Sequence, residues 1–279
     1  MKDISDFYPV VKGTGEIPLE VPAFLKGDFK DAVMPAYQEL VKDNFSFKFN
    51  GDEGSNPFIV GALNYVLKNS KFRMPVPTDN IFETIFPLIK NEFCTGLNAF
   101  DVREKKPDYK KDYNIWKQLN ELAERKQGRA NHPFRIQGVY CVPDETEEED
   151  GVIIAPAKNF RVIEDKRLNL PSGERFNSLD ELGMIKPEKN GKYTWYNWNL
   201  HEDVMLGVYL TSQGALLSNR SYLPVFEYYK RVMIVNAEGA VIPKFSIEEY
   251  NTKVQDAYEK KVALAEEIKS KALEDLAKL

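Results

Sequence analysis

The scarce side chains suited to nucleophilic, general-base or metal chemistry are His132, His201, Cys94 and Cys141, while the 43 Asp and Glu offer too many pairs for spacing to single out a carboxylate pair. His132 precedes Pro133 in a turn. His201 lies in LHEDV beside Glu202 and Asp203, where a base or metal ligand would need further ligands converging from elsewhere. No HExxH pattern or histidine cluster supplies them, so a structural strand-end histidine is the favoured reading. Cys94 and Cys141 have neither CxxC nor Cys/His spacing and read as buried free thiols.

The remaining motifs are also weak. The run DETEEED, from Asp144 to Asp150, places six acids in seven residues. It lacks the alternating oxygen-ligand order that wraps calcium and reads as a self-repelling hairpin tip. Gly13 and Gly15 make a GTG turn, with no preceding strand and no third glycine to cradle a phosphate. The loop GDEGSNP precedes a helix start, but Asp52 and Glu53 would repel an anion there. A GxSxG elbow and a Walker loop are both absent. The expectation is a non-enzymatic protein with no catalytic residue, metal or cofactor. A hydrolase-type enzyme without a recognisable motif, using His201 and nearby acids, is the third reading.

Binding residues are easier to find. Arg103 to Lys111, REKKPDYKK, is the most basic stretch. Lys105, Lys106, Lys110 and Lys111, with Trp195 and Trp198, could hold a single-stranded nucleic acid by charge and stacking. The net charge of −5 weighs against a general nucleic-acid binder, so this is the second reading. Apolar partner surfaces are expected at both ends. One is Phe7, Val10 and Val11; the other is Ile247, Tyr250, Val254, Leu264, Ile268 and Leu276.

The elements that must position these residues follow from periodicity and punctuation. Residues 1–27 read as an extended arm broken by Pro9, Pro18 and Pro22. The region 28–130 reads as helical. One helix is capped by Asp28 and contains Pro35; another starts at Asn56-Pro57. A third, over 81–93, is kinked or split by Pro87, and a fourth ends near Gly128. FSFKF at 45–49 alternates like a strand. The region 131–243 reads as antiparallel β, starting with a hairpin of FRIQGVYCVP and GVIIAPAKNFRVIED. Ser178 and Glu181 match a capping box for a short helix. KYTWYNWN should be a strand with aromatics on both faces, and VFEYYKRVMIV a central one. Residues 244–279 begin with the capping pair Ser246 and Glu249 and contain no Gly or Pro. A helix of about 32 residues there would be ~48 Å long, with a narrow coiled-coil-like stripe.

The expected fold is therefore α+β: a helical N-terminal half, a mostly antiparallel sheet in the C-terminal half, and a long C-terminal helix. A length of 279 residues is ample for a core without disulfides. The N-terminus lacks a leader pattern, and no apolar run approaches the ~18 residues of a membrane span, so a soluble protein made in the cytoplasm is expected. The functional expectation is a structural component of a large homo-oligomer or hetero-complex, with protein partners at both ends. A virus or phage particle (head, neck or tail) is its expected setting.

Overall fold

A computed structural model describes residues 23–25, 27–49, 56–70, 72–89, 94–108, 110–144, 151–197, 205–219 and 230–236. The chain divides after Ala240, and the second unit, Val241–Leu279, lies outside the described residues, as does the arm over 1–22. No long C-terminal helix is among the described elements.

The described helices are α1 (Gly27–Val41), α2 (Pro57–Val66), α3 (Ile81–Thr84), α4 (Phe86–Ile89) and α5 (Lys110–Gln127). The strands of the N-terminal half are β1 (Ala23–Phe24), β2 (Phe72–Arg73) and β3 (Cys94–Val102). Then come β4 (Phe134–Pro143), β5 (Val152–Glu164), β6 (Arg175–Leu179), β7 (Ile185–Pro187) and β8 (Tyr193–Asn197). The last are β9 (Met205–Thr211), β10 (Ala215–Asn219), β11 (Lys230–Arg231) and β12 (Met233–Asn236).

The principal sheet runs β5-β4-β3-β9-β10-β8-β6-β7, with β11 pairing alongside β3. Most pairs are antiparallel, but β8–β10 and β3–β11 are parallel. A second sheet has the order β1-β12-β2. The expected helical N-terminal half is thus overturned: β3 lies inside the principal sheet, between β4 and β9. Its pairing with β4 crosses the expected boundary at 130/131.

Side-chain alternation sends β3 into two cores. Phe100 and Val102 join a cluster with residues of α1, α2 and α5, while Leu97 and Ala99 join one with α3, α4, β6 and β8. A strand covered on both faces has no polar stripe to reveal it. In α1, Val33, Tyr37 and Val41 are buried at successive four-residue steps, and Pro35 is exposed. Asn56 caps α2 by accepting from the Ile59 N–H at 2.8 Å, and Pro57 occupies the first turn. Gly61 lets α2 approach β4, since a Cβ there would lie 2.4 Å from the Cys141 Sγ. The Cys141 thiol is buried, which pushes its pKa well up and leaves it an apolar packing group. The Cys94 side chain is outside the described residues.

Several local expectations change where side chains offer the backbone a partner. FSFKF is a 3-10 turn over Phe45–Phe47, because the Asn44 carboxamide accepts from the Ser46 N–H at 3.0 Å. The predicted capping box at Ser178 is instead the end of β6. Asp180 forms the following turn by accepting from the Leu182 and Met184 N–H groups at 3.0 and 2.9 Å. Pro87 does split its helix, into α3 and α4. In β8 one face is buried, with Tyr193, Trp195 and Asn197, whereas Thr194 and Tyr196 face outward. Aromatics do stand on both faces, but only the Tyr193 and Trp195 face is covered. Within VFEYYKRVMIV, residues 225–229 are not described. The rest divides into β11 and β12, with β12 central to the smaller sheet.

The outer edge of β5 is not left open. Gln118 of α5 donates to the Val152 carbonyl and accepts from the Ile154 N–H, both at 2.8 Å, as a neighbouring strand would. Gln127 donates to the Val162 carbonyl at 3.3 Å. An amide side chain satisfying both strand groups blocks edge-to-edge pairing at that point.

Candidate functional site

The predicted nucleic-acid contacts do not form one surface. Lys105, Lys106 and Lys110 are exposed around the start of α5, and the Lys106 ammonium lies 4.2 Å from the centre of the Tyr113 ring. Lys111 is in α5, with its side chain outside the described residues. Trp195 is only 1 % exposed and packs in the second core, its indole N–H donating to the Leu170 carbonyl at 3.2 Å. It cannot stack a base, because the β8 alternation turns it inward. That corrects the expectation for Trp195. Trp198 and His201 lie outside the described residues, as do all the predicted partner contacts: Phe7, Val10, Val11, Ile247, Tyr250, Val254, Leu264, Ile268 and Leu276.

His132 sits near α5, its ring parallel to Trp116 at 6.2 Å between centres. Burial lowers its pKa, against the opposing pull of Glu104 and Glu164. Its Nε2 is buried without a partner. Among the described residues, no group of three or more His, Cys, Asp or Glu is placed to hold a metal. No described helix is long and apolar enough to cross a membrane.

Two polar centres were not foreseen from the sequence. The first is a fully buried ion pair. Asp101 and Arg135 are direct cross-strand partners on β3 and β4, and both side chains are 0 % exposed. The guanidinium donates from Nε and Nη2 to the two carboxylate oxygens at 2.6 and 3.0 Å, and from Nη1 to the Gly183 carbonyl at 3.0 Å. Nearby, Arg103 donates to Asn169 Oδ1 and the Leu168 carbonyl. Burial lowers its pKa, Asp101 raises it, and Arg135 lowers it further. Arg167 is clasped by Asp165 and Asp180. Its hydrogen bond holds the Asp165 carboxyl below the usual range. Arg103 and Arg135 fasten the 165–185 segment to the sheet, while Arg167 closes that segment on itself, a structural use of charge.

The second centre combines an irregularity in the β3–β9 ladder, on the β3 side of β4, with one in the β4–β5 ladder on its other side. The β3–β9 register shifts between Gly96 and Phe100, and the β4–β5 register shifts between Gln137 and Val139. On the first side, Asn98 substitutes for a backbone partner. Its amide donates to the Val139 carbonyl at 2.9 Å and accepts from the Val139 N–H at 3.1 Å. Asn64 of α2 donates to the same carbonyl at 3.1 Å and accepts from the Met74 N–H at 3.1 Å. On the other side, residues 157–160 of β5 swell out opposite Gly138. That glycine has φ +71°, and a Cβ on it would come within 2.6 Å of the Asn159 carbonyl oxygen. Bulges of this kind re-aim side chains. Here Lys158 and Asn159 are brought to a cavity of about 150 Å³ that is also lined by the end of α2 and by β2. An isolated glycine within a strand pattern is the sequence signal that marks such a place.

No family model matches the chain, and neither a curated protein nor a solved structure was found similar to it.

Proposed function

We propose that this chain is a non-enzymatic structural component of a large protein assembly, with a virus or phage particle as its setting. The observation that carries the assembly reading is the apolar character of the C-terminal segment. Ile247, Tyr250, Val254, Leu264, Ile268 and Leu276 recur at three- and four-residue steps or their sums, in a stretch otherwise rich in Glu and Lys. Among the described residues, the two main apolar clusters run from Leu25 to Val235. Contact with neighbours would give the apolar positions at both chain ends burial worth about 25 cal/mol per Å². Strand addition at β5 is a poorer route to assembly, since Gln118 and Gln127 engage that edge. The particle setting extends this reading from the general character of the sequence.

The single-stranded nucleic-acid reading retains Lys105, Lys106 and Lys110 beside Tyr113, without the Trp195 platform. It is the weaker of the two.

Removing residues 244–279 tests the assembly reading. The truncated chain is expected to sediment as a much smaller species while keeping the circular dichroism and melting transition of the body. An unchanged sedimentation coefficient would remove the C-terminal segment from the account.

A further inference from the structure

We infer that the cavity beside the β5 bulge is a binding site for a phosphoryl oxyanion, either free phosphate or a phosphate monoester. Its lining includes Lys68, Arg73 and Lys158 and no aspartate or glutamate. Arg73 is neutralised by Asp79, which accepts from Nη1 and Nη2 at 2.6 Å each. Among the described residues, the positive charge of the lining that no carboxylate pairs with comes from Lys68 and Lys158. Lys68 is held over the Tyr65 ring, 3.8 Å from its centre, and Tyr65 in turn meets Tyr140 edge-on at 5.6 Å. These rings are a firm floor beneath a cation at the cavity wall.

The hydrogen-bonding inventory agrees in sign. Two lining residues carry buried N–H donors without an acceptor, Arg73 at Nε and Asn159 at Nδ2. No lining side chain is among those with a buried acceptor lacking a donor. The other lining amide, Asn64, is engaged at both ends by the backbone. With three basic groups and no carboxylate in the lining, an occupant made of acceptor oxygens is favoured over one that donates. Negative charge strengthens such bonds. The irregularity that delivers Lys158 and Asn159 requires Gly138 in its left-handed conformation, which an ordinary β-ladder would not need.

Titration of the full-length chain with inorganic phosphate at low ionic strength, followed calorimetrically, tests this directly. Saturable binding is expected, weakening as sodium chloride is added. The exposed or half-exposed lysines can be changed without disturbing the core. Lys158→Ala and Lys68→Ala are each expected to weaken binding at least tenfold, whereas Lys186→Ala, exposed and outside the cavity lining, leaves it unchanged. Glycerol phosphate in place of inorganic phosphate separates the two sources: tighter binding of the ester assigns the site to monoesters, and weaker binding assigns it to the free ion. Absence of saturable binding to the folded wild-type chain overturns the inference. So does wild-type affinity in either the Lys68 or the Lys158 variant.

Discussion

Asp101→Ala is expected to destabilise the protein by about 3–5 kcal/mol, because it leaves a guanidinium buried without its counter-charge. Arg135 is 0 % exposed, and its one other described bond is to the Gly183 carbonyl, which cannot neutralise it. Desolvation of both ions already offsets much of their mutual attraction, so the pair is worth far less than the loss of one partner suggests. Asp101→Leu combined with Arg135→Met should accordingly lie much closer to wild type than Asp101→Ala alone. Urea unfolding of the wild type, Asp101→Ala, the single variants Asp101→Leu and Arg135→Met, and their double variant measures this difference. If the double variant were as damaged as the sum of the singles, the pair would not be acting as one buried unit.

Gly191→Ala is the second large effect. A Cβ at that position would lie 2.2 Å from the Phe176 backbone nitrogen and 2.6 Å from its Cα. Backbone cannot swing aside as a flexible side chain can. The clash falls where β6 meets β8, beneath the packed rings of Phe82, Phe176 and Tyr193. A loss of about 3 kcal/mol or more is expected, the upper end for overpacking. Gly173→Ala is the informative contrast. Gly173 has φ +97°, but a Cβ added there would meet nothing within 4 Å. Only the left-handed conformation is penalised, by about 1–2 kcal/mol. Thermal unfolding of the two variants side by side should rank Gly191 well above Gly173; equal shifts would show that β6 and β8 can move apart freely.

Local punctuation was the legible part of this fold. Asn56-Pro57, Pro87 and Gly128 each mark a boundary that forms, because caps and ring constraints act within a few residues. The β4–β5 hairpin is equally readable from its two apolar runs. Failure came where a side chain took over a backbone role. CTGLNAFDV looks poor as a strand, with Gly96, Asn98 and Asp101 in it. Yet Asn98 supplies the bonds that the irregular ladder lacks, and Asp101 finds Arg135 directly opposite. Neither partner is near in sequence, so periodicity could not announce them. Asp180 likewise prevailed over a capping box by making a turn. Trp195 was misplaced for a simpler reason: alternation assigns a face but does not say which face is covered. At the oxyanion cavity, Gly138 was a visible irregularity, while Lys68 and Lys158 become neighbours only when α2 packs beside the β4–β5 ladder.

The assembly claim stands or falls most directly on the mass of the intact, purified chain under native conditions, measured by light scattering across a dilution series. A mass several times the 32.1 kDa of one chain, persisting on dilution, is the predicted result. A single-chain mass at every concentration would contradict self-assembly, and the same result in the presence of its co-expressed partners would contradict assembly altogether.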